Sequence, residues 1–568
     1  MLIQCDKFYQ SGGENHYTEW KHYLGDPGRS HYSELSEFTS KNIKSLKVAW
    51  EYESKDYGQM QMNPIVIDTL LYGVSSALRV FALDARSGEE VWVFGDTLKT
   101  LFSTSRGVSY WESGNDKRIF YTKGADLWAL NAHIGQPIPS FGKGGKIDLR
   151  SGLHASAQDK FVISSTPGTI YKNLIIMPIR LSEGVGAAPG DVMAFDVITG
   201  ELAWSFHTLP RPGETGIETW GDPNISESPI VGAANNWAGM ALDQKREILF
   251  VPTGSASPDF YGALRPGKNL YSNCLLALNA NTGKLLWHYQ FIHHDLWDRD
   301  LPAPPNLITV NHGGKKIAAV AQVTKQGYVF VFDRETGQPL FDIEEVAVPE
   351  SELPGEQTWP TQPVPVKPAS FARQSDKLTT EDISPFAPNR DSLIALFEQS
   401  DKRNFAPPSL EPALLLPGYD GGAEWGGAAA DPDKGILYIN SNEMAWFLQM
   451  RTNDDKGEKL TAVERIYRQN CAVCHMTNRS GSRASGYPSL LAIKTRLSEK
   501  NIHNIIMQGK GMMPGFPQIP EKDRQQLVNF LIDKSDIKGV KEISQTNSIK
   551  PHLPFQHMGY TKFLDQNS

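Results

Sequence analysis

The residues best suited to chemistry lie in two short segments. Cys471-Ala472-Val473-Cys474-His475 sets two thiols one helical turn apart with an imidazole directly after them. That spacing suits covalent attachment of a haem through its two vinyl groups, with the histidine beneath the iron. Gly509-Lys510-Gly511-Met512-Met513-Pro514 lies downstream and offers a thioether as sixth ligand, Met513 being preferred over Met512. A His/Met pair suits electron transfer rather than oxygen activation. The rival readings of the cysteine pair are a redox dithiol, which needs a βαβ setting, and zinc, which needs two further ligands. The neighbouring sequence supplies neither.

The second segment, His293-His294-Asp295-Leu296-Trp297-Asp298-Arg299-Asp300, packs charge, imidazole and indole more densely than a generic loop requires. His293 and His294, read as neighbours on a strand, point to opposite faces and do not ligate one metal together. They are assigned packing and site-shaping roles.

A repeat must position these groups. Ala82-Leu83-Asp84-Ala85-Arg86-Ser87-Gly88 with Trp92 returns as Ala194 to Gly200 with Trp204 and as Ala277 to Gly283 with Trp287. Weaker copies begin at Ala129 and Val331. Each reads as strand, turn, strand: Asp or Asn caps the turn, Gly supplies a positive φ, and Trp packs between neighbouring sheets. Such units bury both faces only by stacking radially into a propeller. Between about residues 342 and 420 the pattern stops, and Pro349, Pro354, Pro360, Pro363, Pro365 and Pro368 predict an extended surface excursion without strands. Strand-like sequence resumes at Glu424 and at Gly435. After Met450 come polar helical segments, Glu458 to Gln469 and Lys522 to Asp533, which mark a second domain.

Composition narrows the function class. The 568 residues carry a net charge of −8, which argues against a nucleic-acid surface. Apolar residues make up 40%, enough for a large core and too many for general disorder. No apolar run reaches the length of a transmembrane helix, and the first residues lack the pattern of a secretory signal. With four cysteines there is no disulfide scaffold. Cys5 is either a lipid-attachment cysteine or a free thiol.

The repeat, the His293 to Asp300 segment, Ser105-Arg106-Gly107-Val108-Ser109-Tyr110, Thr324-Lys325-Gln326-Gly327 and the Pro-rich Gly355 to Pro363 together resemble the pyrroloquinoline quinone (PQQ)-dependent dehydrogenases, in particular the glucose-dehydrogenase-like branch with a cytochrome c domain. The resemblance covers nearly the whole chain. It implies a mainly β fold, an eight-bladed-type propeller, plus a small all-α cytochrome c domain. PQQ is expected on Trp237, with Gln61, Arg106 and Trp425 around it, Asp298 as base and Lys325 at the quinone oxygens. Ca²⁺ is expected at Glu183 and Asp298, and haem c on Cys471, Cys474, His475 and Met513. No Cys-Cys pair occurs for the vicinal disulfide of the methanol-oxidising branch, whereas Ser75-Ser76 stands where glucose-oxidising relatives carry a histidine.

The expected domains are 1–452 for the propeller, 453–537 for the cytochrome and 538–568 for a segment returning to the propeller. No repeat frame follows residue 535, which predicts an unfinished propeller with an open edge, lower stability and edge-to-edge association. The expected activity is oxidation of an aldose, polyol or alcohol, with electrons leaving through the haem to an acceptor cytochrome or respiratory quinone chain. The expected location is periplasmic, with lipid anchoring through Cys5 where that cysteine is modified. Rival readings are a propeller scaffold for assembly and an electron-transfer protein without dehydrogenase activity.

Overall fold

The computed structural model describes residues 17, 19–56, 58–96, 104–387, 389–452, 461–476, 478–481, 487–510, 513–516, 519–532, 553–557 and 561–562. Cys5, Met512 and most of the expected return segment lie outside them. Among the described residues, the five repeat copies lie in five antiparallel sheets that follow one another along the chain. The first comprises Ile65–Ile67, Leu70–Val74, Val80–Asp84 and Glu90–Phe94; the second begins at Ser109, the third at Thr169, the fourth at Ala241 and the three-stranded fifth at Asn306. The chain is a mainly β propeller, and its cores are the layers between neighbouring sheets.

The repeat explains how the sheets are joined. In three sheets the repeat's Ala pairs across the ladder with its Trp, Ala82 with Trp92, Ala194 with Trp204 and Ala277 with Trp287, and each time the register slips one residue later. The turn cap is local: Asp196 Oδ1 accepts the backbone N–H of Ile198 and Thr199, both at 2.8 Å. Each indole then covers the turn glycine of the next sheet. At Gly283, whose φ is +70°, a Cβ would come within 2.4 Å of Trp204, so the turn conformation and the close approach both demand glycine. Trp50 lies over Gly88, Trp92 over Gly135 and Trp287 over Gly337 in the same way, and Trp92 and Trp287 also donate Nε1–H to carbonyls of the sheet they cover.

The 342–420 excursion differs from expectation. Ile343–Ala347 and Thr361–Pro365 form a two-stranded ribbon, and Arg390–Gln399 is a helix. The prolines are tolerated because Pro363 and Pro365 have the same parity opposite Glu345 and Ile343, so both lacking N–H groups fall on one side of an edge strand. Glu424 to Gly427 is a turn, with the strand beginning at Ala428.

Past Thr452 the structure becomes helical. Thr461 opens Ala462–Asn470 through a capping box with Glu464, and the expected start at Glu458 lies outside the described residues. Glu499–Gln508 and Glu521–Ile532 pack with it around Tyr467, Ile502, Leu527 and Val528. The chain then returns: Phe555–His557 pairs with Met450–Thr452, and Thr561–Lys562 pairs with Trp446 and Phe447.

Candidate functional site

Asp298 and Lys325 meet. The Lys325 ammonium lies 3.1 Å from each Asp298 carboxylate oxygen and from the Asp298 carbonyl, and 3.9 Å from Asp300. Asp298 sits at φ +54°, a backbone state that needs support from its surroundings. Asp295 supplies that support. Its Oδ1 accepts the Trp297 N–H and its Oδ2 the Arg299 N–H, together with Ser255 Oγ and Asn273 Nδ2.

The neighbouring carboxylate is held from two connections between strands. Asp300 accepts the Trp237 indole N–H at 2.8 Å and the Ser255 backbone N–H at 2.5 Å. Gly254 makes this approach possible, since a Cβ there would come within 2.7 Å of Asp300. The Arg106 guanidinium lies over both expected indoles, 5.3 Å from the Trp237 ring and 4.8 Å from that of Trp425, and donates to Thr166 Oγ1 at 2.8 Å. Arg106, Trp237, Trp425, Asp298 and Lys325 are thus brought into one neighbourhood.

The electrostatics follow from crowding. Burial pushes the Asp298 carboxyl well above its usual range despite Lys325, with Asp300, Glu183 and Asp295 adding to the rise. Burial opposes the charge on Lys325, yet Asp298, Asp300 and Glu424 hold its ammonium above the ordinary lysine range. Burial also raises Asp259 strongly, with Asp298 next in effect, and raises Glu424 to about 7. Neither Asp259 nor Glu424 was among the residues picked from sequence. Asp259 follows Ser257-Pro258 in a segment without repeat frame, and Glu424 adjoins the chosen Trp425.

The histidines correct the strand reading. The strand ends at Gln290, and His294 has φ +49°. His294 Nε2 meets Glu356 Oε1 at 2.9 Å with both side chains almost fully buried, while His293 Nδ1 meets Gln290 Oε1 at 2.8 Å. Gln362 brackets the His293 backbone, accepting its N–H at 2.8 Å and donating to its carbonyl at 2.7 Å. The excursion thereby clamps the loop that carries Asp298.

The structure can be tested against the expected groups. For a planar quinone carrying carboxylates, the indoles of Trp237 and Trp425 offer apolar faces, and the buried Gln61 Oε1 and Arg106 Nε have no hydrogen-bond partner among the described residues. Buried polar atoms of this kind call for a ligand, so these residues fit. For Ca²⁺ the donor chemistry is right, because oxygen ligands and surplus negative charge surround Asp298. Glu183, however, is 64% exposed and 4.0 Å from Arg180, and among the described residues no three ligating side chains converge. For haem, His475 is buried and its Nδ1 lies 2.8 Å from the Pro488 carbonyl. A carbonyl only accepts, so Nδ1 carries the proton and Nε2 is left for a metal. Cys471 is buried at the end of its helix, and Met513 lies half-buried in a short hairpin. The Cys474 side chain is outside the described part.

Comparison with known proteins decides the family. Residues 20–490 match the glucose/ethanol/alcohol dehydrogenase β-propeller domain. The chain belongs to this PQQ propeller family. Residues 458–531 of this PQQ propeller protein match a second model, cytochrome c oxidase cbb3-type subunit III. It is 32% identical over 460 residues to quinoprotein glucose dehydrogenase of Escherichia coli (strain K12), covering 74% of this chain and 55% of that protein. It is 30% identical to the quinate/shikimate dehydrogenase (quinone) of Acinetobacter baylyi (strain ATCC 33305 / BD413 / ADP1), covering 78% and 59%. The chain thus spans a little over half the length of these curated relatives. Among solved structures, the quinohemoprotein alcohol dehydrogenase from Comamonas testosteroni aligns with TM-score 0.55 at 19% identity over 91% of this chain and 95% of that one, a likeness of fold.

Proposed function

We propose that this PQQ propeller protein is a dehydrogenase oxidising the CH–OH group of an aldose, polyol or alcohol, with electrons passing to haem c and then to an acceptor cytochrome or respiratory quinone chain. The observation that carries the reading is the Asp298–Lys325 pair beside the two indoles and Arg106.

Bound PQQ supplies a quinone carbonyl that accepts the hydride. Trp237, Trp425, Arg106 and Gln61 would hold it. Asp298 takes the hydroxyl proton at its carboxylate, and burial makes it a stronger base than an exposed aspartate. Lys325 keeps Asp298 aligned and presents positive charge where an oxygen becomes anionic. Ca²⁺ belongs to the same reading. Asp298 and Glu183 are its candidates, Asp259 and Asp300 contribute charge nearby, and no proton step needs it.

Cys471, Cys474, His475 and Met513 would bind haem c, and covalent haem attachment supports a periplasmic location. No helix among the described residues is long and apolar enough to cross a membrane. The domain limits 1–452, 453–537 and 538–568, and an eight-bladed-type propeller, remain part of this reading.

The test is the visible spectrum of haem-loaded protein given PQQ and Ca²⁺, before and after a panel of aldoses, polyols and alcohols. Reduced-haem bands that need both PQQ and one substrate class support the reading. Haem that stays oxidised, in protein shown to bind PQQ, with every class tried overturns it.

A further inference from the structure

Residues 20–30 touch the first strand of every one of the five repeat-bearing sheets. The Trp20 carbonyl accepts the Val66 N–H at 2.9 Å, the Pro27 carbonyl that of Leu242 at 2.8 Å and the Gly28 carbonyl that of Leu307 at 2.9 Å. Arg29 donates to Thr169 Oγ1 at 2.9 Å, and Lys21, His22 and Tyr23 share a small cavity with Ser109 and Tyr110 of the second sheet. A segment of eleven residues with these partners lies where the five first strands converge. Asp26 knots it by accepting the N–H groups of Gly28 at 2.6 Å and Ser30 at 2.9 Å. Leu24 and Arg29 take positive φ, a backbone state that the surrounding sheets sustain.

This hub carries Tyr23 to the edge of the expected quinone site. A Cβ on Gly239 would come within 3.0 Å of Thr166 Cγ2 and 3.9 Å of Tyr23 Cε1, which puts the phenol ring beside Thr166. Thr166 Oγ1 in turn accepts from Arg106 Nη1 and donates to the Trp237 carbonyl, both at 2.8 Å. The Tyr23 hydroxyl and Arg106 Nε are buried and have no hydrogen-bond partner among the described residues. Both are donors: burial pushes the Tyr23 phenol up to about 12, so it keeps its proton at neutral pH, and a guanidinium accepts nothing. Tyr23 is also the strongest electrostatic neighbour of Arg106, ahead of Arg180 and Glu424. Two open buried donors in one neighbourhood, one of them cationic, call for an anion.

We propose that Tyr23 is a further cofactor-binding residue, its hydroxyl and Arg106 Nε together receiving one carboxylate of PQQ, so that the segment 20–30 forms part of the cofactor site. The proposal rests on the proposed function for the place of PQQ beside Arg106, but binding tests it without turnover. It also carries a sign. While the site is empty, a buried hydroxyl without an acceptor costs stability, because it has given up its hydration for nothing. Once an anion arrives, the same hydroxyl makes a charge-assisted hydrogen bond and stabilises the complex.

The experiment compares Tyr23→Phe with the wild-type full chain, both haem-loaded, by isothermal titration with PQQ in the presence of Ca²⁺ and by calorimetric melting with and without PQQ. The variant is expected to bind PQQ about 10- to 100-fold more weakly, to melt at or above wild type without PQQ, and to gain less than wild type when PQQ is added. Equal PQQ affinity in the two proteins overturns the proposal and leaves the dehydrogenase reading standing. A variant that fails to fold, or that melts below wild type without PQQ, assigns the hydroxyl a structural role and overturns the proposal as well. A wild-type chain that takes up no PQQ overturns both. Weaker binding by the variant, with haem that no substrate reduces in either protein, sinks the dehydrogenase reading and supports the assignment of Tyr23.

Discussion

The turn at Asn279 to Gly283 and the loop at His293 to Asp300 flank one strand, Leu285–Gln290, yet they are built by opposite means. The turn is closed by its own residues: Asn279 accepts the N–H groups of Asn281 and Thr282, and Gly283 takes the positive φ. In the loop the positive φ falls on His294 and Asp298, and the conformation is held from afar by Gln362, Glu356, Ser255 and Asn273. Local chemistry fixes the scaffold, whereas the site's strain is sustained by distant partners. Damage to each should therefore look different.

The largest contrast is expected from Asp298→Asn. Turnover per folded, haem-loaded molecule should fall about 10²- to 10⁴-fold with little change in melting temperature, measured by substrate-dependent dye reduction and by calorimetry. Unchanged turnover of a confirmed substrate would sink the assignment of the base. Gly283→Ala should do the reverse. It places a Cβ against Trp204 at a positive φ, so stability should drop by about 1–3 kcal/mol, while turnover per folded molecule is retained.

Glu356→Gln tests the border between the two regions. Burial raises the Glu356 carboxyl, but the His294 hydrogen bond, together with Arg265 and the Gly262 N–H, outweighs it and holds the group below its usual 4.5. A depressed folded-state value contributes stability above the unfolded pKa, and that contribution is lost as pH falls through the folded value. Wild type should therefore exceed the variant by about 1–2 kcal/mol at neutral pH, and the gap should shrink in thermal melts as pH falls below the usual 4.5. A gap that persists in acid would assign Glu356 a purely steric role. The smallest effect is expected from Asn279→Ala, which removes a half-buried turn cap worth about 0.5–1 kcal/mol and should leave substrate KM unaltered.

The same division governs how much the sequence reveals. The Ala–Asp–Gly–Trp frame announces strand pairs and their stacking because cap, turn glycine and indole lie within eleven residues, and the structure shows each in that role. Cys471 to His475 is legible for the same reason, whereas the Pro488 carbonyl that fixes the His475 tautomer is visible only in three dimensions. The clamp by Glu356 and Gln362 comes from more than sixty residues away. It lies in a Pro-rich stretch whose strands are masked by prolines of one parity. Asp259 gives no local signal either, because its significance comes from the carboxylates the fold gathers around it.

Pairing of Thr452 with Phe555 has a consequence for how such a chain is assembled. The propeller meets the roughly one hundred residues between them as the loop of a single hairpin. Loop-closure entropy grows only logarithmically with length, by about 0.6 kcal/mol per doubling. An entire redox module can therefore be lengthened, shortened or exchanged at this point at small thermodynamic cost to the blades, provided its termini emerge side by side. The ladder acts as a socket for the helical unit.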